Sequence, residues 1–200
     1  MKIKNIISLL LMATILFITC KKDDNTNKKT FGVFKVLMND TTIEMDGEIE
    51  SASLNDFNEL VDAFPNISRI EIVNCDGSSD DGINLLLSQK IHQKGINIHL
   101  LDNAIIASGG VDFYLAGIIR TRGIDTSIGV HSWEDSDGTT ATDYPVGHED
   151  HLQFIDYYVS VGFTQLQAEE FYYFTINAAP ADSIYWMTEA EIDQYNITTQ

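Results

Sequence analysis

The sequence predicts an α/β domain in which a parallel sheet is built from β-α-β units and followed by C-terminal helices. Three observations carry this. From Arg69 to Trp133, short strand-like runs alternate with runs of helical period. The connections between them are short, which favours right-handed crossovers within one sheet. From Asp150 onward the strand runs stop and three helical patterns follow.

Taken in order, FGVFKVLMN from Phe31 is an extended run, and TTIEMDGEI is a second one punctuated by Gly47. SLNDFNELVDAF offers Ser53 as an N-cap, with Leu54, Phe57, Leu60, Val61 and Phe64 at helical spacing. Pro65 and Asn66 stop that helix. RIEIVN reads as a short buried strand, and CDGSSDDG leads into the helix GINLLLSQKIHQK, which Gly95 ends. INIHLLD is the next strand, SGGVDFYLAGIIRT the next helix, and SIGVHSW a strand again. The later helices are HLQFIDYYVSVG, TQLQAEEFYYFTINA and MTEAEIDQYN, the last opened by a capping box of Thr188 and Glu191. Between the two halves lies a polar, acidic loop from Glu134 to Asp150, long enough to be functional rather than a simple connector.

The N-terminus has a different character. MKIKNIISLLLMATILFITC places two lysines before an apolar run and a cysteine after it, the pattern of an export signal. The run is shorter than the roughly 20 residues a comfortable membrane-spanning helix needs. It resembles a bacterial lipoprotein signal, which implies cleavage after residue 19 and acylation of Cys20. Residues 20–30 then form a flexible polar tether and residues 31–200 the folded domain. A plain secretory signal or an uncleaved anchor is the alternative. Each of these readings takes the protein out of the cytoplasm to the cell envelope, and the lipoprotein reading gives it a lipid chain as its hold on the membrane.

Removing Lys2 and Lys4 from the 12 basic residues leaves 10 against 30 acidic ones, a mature net charge of −20. Such a surface disfavours nucleic acid and anionic lipid headgroups as partners. With Cys20 acylated, Cys75 has no disulfide partner and reads as a small buried residue.

In a sheet of this kind, ligands and catalytic groups collect at the carboxyl ends of the strands. Three features fall there. Asp76-Gly77-Ser78-Ser79 is a glycine turn suited to presenting backbone N–H groups to an oxyanion. Ser108 follows a strand and opens a helix, with Gly109 and Gly110 allowing a substrate backbone to come close. His131 ends the strand SIGV. Taken singly, the serine reads as a helix cap and the histidine as a hydrogen-bonded structural group. Taken together they supply the nucleophile, base and oxyanion donors that acyl transfer requires.

The run from Ile43 to Ile197 resembles the ClpP/crotonase superfamily, in particular its serine-protease branch and exported relatives of the Clp proteolytic subunit. NCDGSSDDGINLLLSQKI is similar to that family's oxyanion turn and following helix, and ASGGVDFYLAG to its nucleophile helix. IGVHSW stands where the base-bearing strand stands, and ADSIYWMTEAEIDQYNI resembles the family's ending, with a short final strand. The resemblance implies a spiral of β-α-β units with C-terminal helices. It also implies Ser108 as nucleophile, His131 as general base and Asp182 as the third member that holds the imidazole. Oxyanion donors would be the backbone N–H groups of Gly77, Ser78 and Gly109. Asp182 lies two residues further from its aromatic than the family pattern has it. Asp76 stands where the family has proline, and a carboxylate beside an oxyanion site opposes the developing charge.

The function implied is a lipid-anchored serine hydrolase acting on a peptide or another acyl substrate, needing no cofactor and no metal. Because such proteases assemble as rings, a homo-oligomer stays open. The alternative is a non-catalytic member serving as an envelope binding or assembly module. An acyl-thioester enzyme of the crotonase type is disfavoured, since coenzyme A is absent outside the cytoplasm and its phosphates meet an acidic surface. His148 and His151 could share a face toward a metal, and Asp135-Ser136-Asp137-Gly138 has part of a calcium loop, but neither set is complete. The aromatics from Phe154 to Phe174 read as core or as a subunit interface.

Overall fold

The computed structural model describes residues 29–200. The signal, Cys20 and most of the tether lie outside the described residues. No helix among the described residues is long and apolar enough to cross a membrane.

The first extended run is a hairpin rather than one strand. β1 (Thr30–Phe31) pairs antiparallel with β2 (Phe34–Val36), with Gly32 at φ +55 in the turn between them. Thr30 already pairs with Lys35, one residue before the expected start of the domain. β2 then pairs antiparallel with β3 (Thr42–Asp46). The centre of the sheet is parallel, as expected: β3, β4 (Arg69–Cys75), β5 (Asn97–Ala107) and β7 (Ser127–Val130) lie side by side. The sheet as a whole is mixed, because β8 (Tyr185–Trp186) closes its far edge antiparallel to β7.

Helices cross between the strands. α1 (Ser53–Ala63) buries Phe57, Leu60 and Val61, the stripe its spacing predicts. Its N-cap is Ala52 rather than Ser53, whose hydroxyl instead accepts the N–H of Glu50. α2 (Asp81–Gln93) begins at Asp80, whose carboxylate accepts the N–H of Ile83, and Gly95 at φ +73 releases the chain after it. α3 (Gly109–Leu115) is buried along its whole length. It ends earlier than its apolar run suggests, because Arg120–Arg122 forms β6, parallel to the first half of β5. α4 (Glu149–Ser160), α5 (Gln165–Ala178) and α6 (Glu189–Gln194) complete the helical half, with the Thr188/Glu191 capping box formed as expected.

One irregularity aims the site. β4 and β5 run in register to Ile72 and Leu100, then resume at Asn74 and Ile105. The extra residues of β5 bulge out around Asn103, which takes φ +63 and donates its N–H to Ile124. Asn74 secures the far side by accepting the N–H of Ile105 through its side chain. β5 therefore has two halves, the first beside β6 and the second beside β7, and the second delivers Ser108 next to the end of β7.

The C-terminal segment docks through a buried cation and forms no final strand. The guanidinium of Arg120 donates to the carbonyls of Asn196, Ile197 and Gly117, and Thr199 donates its N–H to the Arg120 carbonyl. Burial pushes the Arg120 pKa down, and the carbonyls are its compensation for lost water. Arg120→Met keeps the apolar stem and removes every one of these donors. We expect it to lower unfolding free energy by about 2–4 kcal/mol, read as a lower denaturant midpoint at an unchanged slope. An unchanged midpoint would mean the tail is held by something else.

Candidate active site

Ser108 occupies the N-cap position of α3 but makes no side-chain cap hydrogen bond. Its backbone is at φ +52 and ψ −131, a region costly for a residue with a β-carbon. Two bonds hold it there: Ser108 donates its N–H to Gly129 of β7 at 3.0 Å, and its carbonyl accepts from Val111 at 2.8 Å. A strained serine at a sharp strand-to-helix turn, with its side chain facing a cavity, is the arrangement of an exposed nucleophile rather than of a cap.

The glycine turn lies against it. A β-carbon on Gly77 would come 3.2 Å from Cβ of Ser108 and 3.6 Å from its hydroxyl oxygen, so the turn and the hydroxyl are neighbours. Ile49 pins the turn from outside, donating to the Gly77 carbonyl and accepting from Ser79. Among the described residues, no acceptor takes the N–H of Gly77 or of Ser78. Asp81 accepts the Ser78 hydroxyl, and Asp76 is exposed.

Gly109 and Gly110 also serve packing. A β-carbon on Gly109 would collide with the Ser78 side chain, and one on Gly110 with the Cys75 carbonyl. They let the Gly77-Ser78 turn and the end of β4 press against α3, and Gly109 also lines the cavity beside Ser108. Asn84, wholly buried on α2, completes the join by donating to the Gly109 carbonyl at 2.8 Å.

His131 and Ser108 line one cavity, together with Asp81, Asp112, Trp133, Phe154 and Tyr158. Its volume is about 50 Å³. No hydrogen bond joins the hydroxyl to the imidazole. Nδ1 of His131 is buried without a hydrogen-bond partner among the described residues. The structure does not bring Asp182 to this ring. Asp182 is exposed in the turn closed by Ser183 N–H to Pro180, while the neighbouring Ser132 is tied to Ala179. Ser108 and His131 therefore share one cavity, with the Gly77-Ser78 turn packed against Ser108, and Asp182 does not line it.

Sequence reasoning missed Asp112. It sits on α3 one turn beyond Ser108, is 8 % exposed, and lines the same cavity. One of its carboxylate oxygens accepts the hydroxyl of Tyr158 at 2.7 Å. Burial pushes its pKa up to about 7, against the opposing effect of the Tyr158 bond. A lone acidic residue inside GGVDFYL was the available signal. Behind the cavity, Trp133 donates to the Tyr172 hydroxyl at 2.9 Å, and that hydroxyl meets Nδ1 of His151 at 2.7 Å. The aromatics of α4 and α5 are thus core, as expected, and Phe154, Tyr158, Phe171 and Tyr172 also form the cavity wall.

Cys75 is buried and its thiol is pushed up to about 12, a value that keeps it protonated and unreactive. His151 is wholly buried against Tyr172 and Tyr173. Asp135 spends a carboxylate oxygen on the N–H groups of Asp137 and Thr139, which closes the loop that resembled a calcium site. Among the described residues, no group of three or more His, Cys, Asp or Glu side chains is placed to hold a metal.

No family model and no curated protein matches the chain. Solved structures do. The ClpP protease catalytic domain from Plasmodium falciparum matches with a TM-score of 0.54 at 18% identity, over 80% of this chain and 84% of that one. The 1510-N membrane-bound stomatin-specific protease, in a mutant form complexed with a substrate peptide, matches at 0.51 and 22% identity, over 78% and 71% of the two chains. A mutant of ClpP1 from Listeria monocytogenes matches at 0.51 and 17% identity, over 80% and 90%. The chain shares the fold of these ClpP-like protease structures.

The buried Asp112 makes stability depend on pH. Its folded pKa of about 7 lies above the unfolded value near 3.9, so between those limits the unfolded chain releases a proton that the folded chain keeps. Stability from this group is complete below the lower limit and is lost as pH rises through the upper one. We expect Asp112→Asn, which can still accept from Tyr158, to match wild type at pH 4. At pH 8 it should be the more stable by a few kcal/mol. Denaturant melts at the two pH values check this, and an equal difference at both would contradict it.

Proposed function

We propose that this protein is a serine hydrolase, a peptidase of the ClpP-like kind, held in the cell envelope by a lipid on Cys20. The observation that carries the reading is the strained turn at Ser108, which faces the His131 cavity with the free N–H groups of the Gly77-Ser78 turn alongside. Strain of about 1–3 kcal/mol at one residue is retained where it serves the chemistry. The likeness to protease structures supports the fold needed for this and leaves the activity to experiment.

In the proposed reaction the Ser108 oxygen attacks the substrate carbonyl as Nε2 of His131 takes its proton. The C=O π bond opens, and the negative charge falls on an oxygen facing the N–H groups of Gly77, Ser78 and Gly109. The imidazolium then passes the proton to the leaving amine as the C–N bond breaks, giving an acyl-enzyme on Ser108. Water, activated by the same imidazole, releases the acid and restores the hydroxyl. The two side chains are not hydrogen-bonded in the free protein and must come together on substrate binding, as hydrogen bonds in free sites commonly tighten only with substrate.

With Nδ1 of His131 unpartnered, the base works as half of a dyad. Loss of the orienting carboxylate costs a serine protease about 10⁴ in kcat, so a slow enzyme is expected. That orphan nitrogen, and Asp81 beside the oxyanion turn, also favour the second reading, a fold kept as a non-catalytic envelope binding module.

A fluorophosphonate distinguishes the two. Wild type should be labelled at one residue, Ser108→Ala should lose the label, and His131→Gln should label at least about 100-fold more slowly. Equal labelling of wild type and Ser108→Ala, or none of wild type, would leave the binding-module reading.

A further inference from the structure

A second cavity lies beside the one that Ser108 and His131 line. The two share Asp81, Trp133 and Phe154, and the second adds Glu134, Asp135 and Asp150 in about 300 Å³. No lysine or arginine lines either of them. Acidic residues alone would mark a solvated face on a chain of this charge. Asp112 is different: it is more than nine-tenths buried, and only one of its oxygens has a protein partner, the Tyr158 hydroxyl. Its other oxygen finds no donor among the described residues, although the carboxylate lines the cavity that holds Ser108 and His131.

We propose that this cavity selects a substrate with a basic side chain next to the reacting carbonyl, the ammonium or guanidinium resting against Asp112 and Asp81. The inference rests on Ser108 and His131 being the reacting pair. A volume near 50 Å³ admits a compact cationic head, given about 10–15 Å³ of such space for one water. The apolar stem of the side chain lies against Phe154 and Tyr158, and their rings add attraction for the cation. The wider acidic cavity receives the next residues of a basic polypeptide, and its carboxylates raise the local concentration of such chains. A bound cation also resolves a difficulty in the free protein. Burial keeps the Asp112 pKa near 7, and an ammonium beside it stabilises the carboxylate form.

The test separates recognition from chemistry. Binding of acetyl-Ala-Ala-X-amides, with X lysine, norleucine or glutamate, is measured by calorimetry at pH 8 on the Ser108→Ala protein. The lysine peptide should bind at least about tenfold more tightly than the norleucine peptide, and the glutamate peptide more weakly than both. Adding Asp112→Asn should abolish the lysine advantage while leaving norleucine binding unchanged, which also shows that the cavity still folds. Norleucine binding equal to or tighter than lysine, a lysine advantage that survives Asp112→Asn, or no binding by any peptide would each overturn the inference. Fluorophosphonate labelling of wild type reports on the hydrolase reading separately. Labelling without lysine preference removes only the specificity, whereas lysine preference without labelling leaves a cation-binding cavity in a protein that is not a hydrolase.

Discussion

At Ser108 the chain leaves β5 and enters α3 with a positive φ, in a conformation that an L-residue with a β-carbon rarely adopts. The surroundings over-determine it. Gly129 accepts its N–H, Val111 donates to its carbonyl, Gly77 packs tightly against its Cβ, and Gly109 and Gly110 let Ser78 and Cys75 close in where a β-carbon would collide. The turn therefore stores strain drawn from the packing energy of β4, β5, β7 and α2. The same packing aims one hydroxyl at a cavity and sets the free amides of the glycine turn beside it. Every further statement about chemistry depends on this local constraint.

Second in importance is the balance of charge within the cavity. An oxyanion is stabilised by amide donors and opposed by nearby carboxylates. Here Asp81 holds the Ser78 hydroxyl beside the Gly77-Ser78 turn, and Asp112 lies one helical turn from Ser108. Burial keeps Asp112 largely protonated below its pKa of about 7, which lessens that opposition. A cation contributed by the substrate would offset the remaining negative charge. Cationic substrate and anionic intermediate would then assist each other, and basic selectivity and turnover would share one electrostatic cause.

The sequence made the parallel centre of the sheet legible because its signals are local. RIEIVN, INIHLLD and SIGV are β-branched runs bounded by turn residues, and Thr188 with Glu191 specifies a helix start by itself. Ser108 and His131 are legible as candidates for the same reason, since the ends of such strands are predictable places. What stayed hidden depends on tertiary context. Whether IIRTR continues a helix or forms β6 is decided by Arg120 reaching the carbonyls of the tail, far away in the chain. The bulge at Asn103 is set by its partner strands, and β8 is too short to show a period. The packing roles of Gly109 and Gly110 are hidden in the sequence because the atoms they admit come from Ser78 and Cys75, on other elements. Asp182 is implied only by the family resemblance, and the turn that carries it is exposed to solvent.

The account reduces to a geometric claim, that a carbonyl bonded to Ser108 puts its oxygen among the amides of the glycine turn. A crystal structure of the fluorophosphonate adduct measures this directly. We expect phosphorus on the Ser108 oxygen, a phosphoryl oxygen about 3 Å from the N–H groups of Gly77 or Ser78 and Gly109, and the His131 ring turned toward the bonded oxygen. An adduct whose phosphoryl oxygen points away from that turn, or one formed on another residue, would contradict it.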